Sequence, residues 1–85
     1  MSYQLHIERS AQKALSKIER DDQLRLIETI RLLEQDPRPA GAKKLSGRAA
    51  WRIRAGAYRV IYEIHDDRLL VLVIQVDHRR EVYHR

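Results

Sequence analysis

The hydrophobic periodicity of this chain changes once, near Trp51, and that change limits the fold more than any other feature. Between Ala11 and Leu33 apolar residues recur at helical spacing, whereas from Trp51 to Val76 they recur at alternate positions or run together. A helical stripe and a strand face each need an apolar surface to cover them. The expected class is therefore α+β, with a helix pair packed on one face of a sheet.

The elements follow from the local pattern. Tyr3, Leu5 and Ile7 alternate with Gln4, His6 and Glu8, the period of a short half-buried strand. Ser10 offers an N-cap for a helix whose Ala11, Ala14, Leu15 and Ile18 share one face. Asp21 or Asp22 caps a second helix carrying Leu26 or Ile27, Ile30 and Leu33, and Asp36-Pro37 ends it. The very short connection makes the two helices an antiparallel hairpin. Pro37 to Gly47, with both prolines and two of the three glycines, reads as a loop. Three to four antiparallel strands then follow. Trp51–Ala55 and Tyr58–Ile64 are joined by Gly56-Ala57, a type II′ turn by its leading glycine. A second turn at Asp66-Asp67 leads to Leu69–Val76, where seven of eight residues are apolar, as in a strand covered on both faces. Glu81-Val82-Tyr83 can add an edge.

Residues 1–85 suffice for one domain with a thin core, and with no cysteine there is neither a disulfide nor a cysteine-zinc staple to support it. No apolar run approaches the length of a membrane span, and Met1 to Glu8 lacks a signal-peptide pattern, so a cytoplasmic protein is expected. The net charge of +5 is unevenly placed: residues 1–42 hold seven Lys/Arg against seven Asp/Glu, and residues 43–85 hold ten against five. A one-sided excess dominated by arginine suits an anionic partner, nucleic acid foremost.

The hairpin concentrates that charge. With a two-residue turn, Ala55 faces Tyr58, Arg54 faces Arg59, Ile53 faces Val60 and Arg52 faces Ile61, so three arginines share one face. Like charges directly opposite one another are destabilising. The usual fate of such charges is to splay into solvent or to pair with Glu63, Asp77 or Glu81; a phosphate held by several charge-assisted hydrogen bonds explains the cluster better. Trp51, Tyr58 and Tyr62 lie on the opposite face and read as core. His6, His65, His78 and His84 lack metal-ligand spacing, so neither a metal nor another cofactor is expected, and His65 reads as a solvated turn residue. Tyr83 ends the chain among Arg79, Arg80, His84 and Arg85, whose charges favour its phenolate.

The stretches SAQKALSKI, LLEQDPRPAGAKKLSG, WRIRAGAYRVIYEI and LLVLVIQVDHRREVY together closely resemble the RelE/ParE toxins of type II toxin–antitoxin systems, from Tyr3 to Tyr83. In the RelE branch the resemblance implies a toxin that enters the ribosomal A site and cleaves messenger RNA without metal, by attack of a ribose 2′-hydroxyl. It implies a catalytic set of Arg52, Arg54, Arg59, Arg79 and Tyr83, with Arg80 able to replace Arg79. Where the best-studied RelE toxins have lysines, this chain has Arg52 and Arg54, and a guanidinium with pKa above about 12 is a poor proton carrier. Proton transfer then falls to Tyr83, His78 or His84. Lys43, Lys44, Arg48 and Arg80 are expected to bind RNA. The family also implies a RelB-like antitoxin partner, with the toxin alone a monomer and a heteromeric complex formed with the antitoxin. The other branch implies a ParE-like protein that inhibits DNA gyrase by binding and cleaves nothing. A third reading is a toxin fold reduced to a basic binding module.

Overall fold

The computed structural model describes residues 2–78, which form two helices and a five-stranded sheet of order β1-β5-β4-β3-β2. The strands are β1 (Gln4–Ile7), β2 (Lys43–Lys44), β3 (Trp51–Ala55), β4 (Tyr58–His65) and β5 (Leu70–His78), and the helices are α1 (Arg9–Ser16) and α2 (Arg20–Leu32). The α+β class holds, with a mixed sheet: β1 runs parallel to β5, and every other pairing is antiparallel. The helix hairpin carries the chain from one edge of the sheet to the other.

Several boundaries differ from the sequence expectation for local reasons. Glu8 still donates its backbone N–H to Val73, so α1 starts only at Arg9, with Glu8 as N-cap and Ser10 inside the first turn. Glu19 caps α2, and Asp21 and Asp22 lie in its first turn, where the helix dipole favours negative charge. The chain keeps turning after Leu32 until Asp36, whose N–H still bonds to the Leu32 carbonyl. A strand not expected in the 37–47 loop, β2, pairs with β3. His65 ends β4 instead of lying in a turn, and its Nε2 is 2.9 Å from Glu63 Oε1. A 3-10 turn over Asp66–Arg68 and a left-handed Leu69 (φ 51°) follow, which delays β5 to Leu70.

The helices cover one face. Ala11, Leu15, Leu26, Ile30 and Leu33 pack on Ile53, Ala55, Val60, Tyr62, Val71, Val73 and Val76, with Trp51, Tyr58 and Ile64 at the margins. Burying side chains such as Leu26 and Ile30 contributes about 1.5–3 kcal/mol each. The other face of β5 is only half covered, so its apolar run marks an interior strand with one fully buried face.

The loop after α2 is pinned at two points. Tyr62 is fully buried and its hydroxyl donates to the Pro37 carbonyl at 2.7 Å. Asp66 accepts from the Tyr3 hydroxyl at 2.6 Å and from Arg38 Nη2 at 2.8 Å, and the Arg38 guanidinium lies 5.4 Å from the Trp51 ring centre. The Arg38 and Tyr3 hydrogen bonds lower the Asp66 carboxyl to about 2, and burial raises Tyr62 to about 12. These contacts tie the loop to the sheet just before the chain enters β2, beside β3.

Candidate functional site

The hairpin register is the one read from the sequence: Ala55 opposite Tyr58, Arg54 opposite Arg59, Ile53 opposite Val60 and Arg52 opposite Ile61. Gly56 has φ 62° while Ala57 has negative φ, the sign pattern of a II′ turn. Because the turn sets the register, one face of β3 and β4 is apolar and meets the helices, while the other carries Arg52, Arg54 and Arg59. Lys43 pairs with Arg52 and joins that face, whereas Lys44 pairs with Trp51 and belongs to the other.

Two rows of cross-strand neighbours make up the site. One runs Lys43, Arg52, Ile61, Gln75, and the next runs Arg54, Arg59, Asp77. They hold four cations against one carboxylate. Ile61 is only 2% exposed although it lies among charged neighbours. An apolar floor of this kind raises the strength of charge interactions around it.

Asp77 is the site residue that sequence reasoning left among the ordinary ion-pair partners. Its Oδ1 accepts from Arg59 Nε at 3.3 Å, and its Oδ2 accepts from the Gln75 side-chain amide. Arg59 and Asp77 are largely shielded, at 23% and 17% side-chain exposure. The bond uses Nε of Arg59 and leaves its two Nη groups unbonded among the described residues. Arg54 is exposed. The like-charge contact is thus relieved from one side only.

A β-bulge brings Asp77 there. Ile61 pairs with Gln75 and Tyr62 with Val73, leaving Ile74 as an extra residue. Strict alternation from the buried Val71 and Val73 carries Gln75 and Asp77 into the core and turns Val76 and His78 outward. The bulge reverses this phase: Val76 is buried, Gln75 is exposed, and Asp77 meets Arg59. His78, a proton-transfer candidate, moves with it. It is paired with Tyr58 on the helix side, their rings edge to face at 5.0 Å. There it lines a 330 Å³ cleft with Lys17, Ile18, Tyr58 and Asp77.

The remaining expected residues fall elsewhere. Arg48 is exposed in the loop between β2 and β3, at the opposite end of β3 from Gly56. Arg79, Arg80, Tyr83, His84 and the Glu81-Val82-Tyr83 edge lie outside the described residues. From α2, Arg25 reaches the hairpin turn, its Nη1 3.0 Å from where a Cβ on Gly56 would lie. No cluster of metal-ligating side chains occurs among the described residues, and no helix there is long and apolar enough to cross a membrane.

The chain matches, over residues 5–83, the family described as ParE toxin of type II toxin–antitoxin system, parDE. Among curated proteins, the toxin RelG of Mycobacterium tuberculosis is 44% identical over 32 residues, a stretch spanning 38% of this chain and 37% of that toxin. Solved relatives share nearly the whole fold. A RelBE toxin–antitoxin complex of M. tuberculosis superimposes with TM-score 0.83 and 26% identity, over 93% of this chain and 100% of that one. A RelE–RelB complex of the archaeon Pyrococcus horikoshii gives 0.83 and 28%, over 93% and 97%. A mutant of the Escherichia coli toxin RelE in the free state gives 0.80 and 27%, over 98% and 92%. With its family match and the shared architecture, the chain belongs to the ParE toxin family, within the RelE/ParE superfamily of type II toxin–antitoxin toxins.

Proposed function

We propose that this toxin is a ribosome-dependent, metal-independent endoribonuclease that cuts messenger RNA in the ribosomal A site. The observation that carries the reading is Arg54 facing Arg59, with Arg52 and Lys43 in the adjoining row, on the sheet face turned away from the helices. Two arginines directly opposite one another cost stability, and RNA phosphate is an anion that fits planar guanidinium groups.

In the proposed reaction the 2′-oxygen attacks the adjacent phosphorus, the bond to the 5′-oxygen breaks, and a 2′,3′-cyclic phosphate and a 5′-hydroxyl form. Arg54 and Arg59 bind the non-bridging oxygens and stabilise the added negative charge of the pentacoordinate transition state. They carry no protons in this scheme, because guanidinium stays charged at neutral pH. Tyr83 or His84 accepts the 2′-hydroxyl proton, and the 5′-oxygen takes a proton from water as it leaves, the resulting hydroxide being neutralised by the proton the base holds. A shallow sheet face orients a nucleotide poorly, so the ribosome supplies the alignment and free RNA is cut slowly. RelE relatives solved with RelB support a cognate antitoxin for this toxin too. An acidic, partly disordered segment that folds on binding suits a partner of net charge +5.

The match to the ParE family supports a second reading, inhibition of DNA gyrase by binding alone. Brief expression followed by mapping of 5′ ends on translated and untranslated copies of one message separates the two. Cuts confined to translated codons support the nuclease; intact message with gyrase-trapped DNA breaks supports the second reading. Arg59→Ala and Tyr83→Phe are expected to lose cleavage while remaining folded, and full cleavage by both refutes the site.

A further inference from the structure

We propose that Asp77 is a positioning residue for Arg59, holding the guanidinium by its Nε so that the paired Nη groups face the phosphate. This rests on the reading of the arginine face as the site of RNA cleavage. Three features of the structure converge on it.

The bulge at Ile74 is what turns Asp77 to this face, and it does so at the cross-strand position opposite Arg59. Each carboxylate oxygen has a different partner, Oδ1 taking Arg59 Nε and Oδ2 taking the Gln75 amide, so the carboxylate is itself held in place. And Arg54, directly across from Arg59 on the other side, pushes its guanidinium away. Without Asp77 the Arg59 side chain has a repulsive neighbour and no attractive one among the described residues. With Asp77, Nε is anchored and the fork that binds two phosphate oxygens at once stays available. Since both carboxylate oxygens are occupied, Asp77 acts through Arg59 and is not assigned the role of base.

The geometry predicts a specific kinetic pattern. On programmed, translating ribosomes, Asp77→Ala is expected to lower kcat about 10- to 100-fold, the scale of a misplacement near 1 Å. KM stays the same or falls, because the lost charge is negative and RNA is attracted more strongly. Asp77→Asn, whose amide oxygen still accepts from Nε once the Gln75 amide flips, recovers most of the loss. Lysine has no Nε, so in an Arg59→Lys background Asp77→Ala costs less than twofold further. Wild-type kcat in Asp77→Ala, or losses from the two substitutions that simply multiply, overturns the proposal.

A second measurement separates this proposal from the nuclease reading. In the NMR spectrum the Arg59 Nε–H is expected to exchange slowly with water in the wild type and in Arg54→Gln, and rapidly in Asp77→Ala. Titration with a short RNA carrying a 2′-deoxy group at the scissile position shifts the Nη signals alone in the wild type, and Nε as well in Asp77→Ala. If the wild type fails to cut on the ribosome but shows this pattern, the nuclease reading falls and the positioning stands. Equal exchange in wild type and Asp77→Ala overturns the positioning whatever the toxin cuts.

Discussion

Replacing Arg54 by glutamine is expected to make the protein more stable and a weaker ligand for RNA. Arg54 is exposed and sits directly opposite Arg59 across β3 and β4. Two guanidinium heads splayed to about 8 Å in a water-like medium repel by roughly 0.5 kcal/mol. The carboxylate of Asp77, 3.3 Å from Arg59 Nε, cancels part of that. Glutamine keeps similar length and removes the charge, so the gain is about 0.3–0.5 kcal/mol. For a domain of this size that is a rise in Tm of about 1–4 °C. Because Arg54 is exposed and its repulsion of Arg59 acts through solvent, the effect shrinks toward zero near 1 M salt, where the screening length is about 3 Å. Calorimetry of wild type and Arg54→Gln at 20 mM and 1 M salt reads it directly. The same variant, titrated with single-stranded RNA over a salt series, is expected to lose about 0.7 from the slope of log affinity against log salt, one phosphate contact. A lower Tm at low salt, or a gain identical at both salts, refutes the claim that the arginine row is kept at the expense of stability.

Tyr62→Phe removes the only hydroxyl bond to the Pro37 carbonyl among the described residues and leaves a buried acceptor, costing about 1–2 kcal/mol in urea denaturation; an unchanged midpoint contradicts the pinning of this loop. The raised Tyr62 makes the folded state hold its proton more tightly than the unfolded chain, so stability declines as pH rises from 10 to about 12, and the decline is reduced in Tyr62→Phe. Asp66 has the opposite sign: its carboxyl, lowered to about 2, contributes stability above its ordinary value near 3.8 that is lost as pH falls toward 2. Acid unfolding of Asp66→Asn is expected to lack that dependence. Gly56→Ala, at φ 62°, costs roughly 1 kcal/mol and is read from the same denaturation curves.

Parts of this protein are legible in its sequence because local chemistry decides them. The Gly56 turn and the alternation on either side set the β3–β4 register, which is enough to put Arg52, Arg54 and Arg59 on one face and Trp51, Tyr58 and Tyr62 on the other. The helical stripes of Leu15, Leu26, Ile30 and Leu33 are equally readable, since amphipathic spacing needs only the residues themselves. Helix starts are less so. Ser10 and Asp21 are good caps by type, but a hydrogen bond from Glu8 to the sheet and the Gln23 backbone bond to the Glu19 carbonyl put the boundaries elsewhere.

Short-range periodicity and one turn thus suffice for the class of the fold and for the arginine row. Three other features depend on long-range packing: the parallel entry of β1 beside β5, the docking of Lys43 against Arg52, and the extra residue at Ile74. The last matters most for the site. In a run of Leu, Val and Ile no residue announces a bulge, because either phase offers an apolar side chain to the core. Only the fit of β5 against β4 and the helices selects the phase, and that selection puts Asp77 beside Arg59 and turns His78 to the other side.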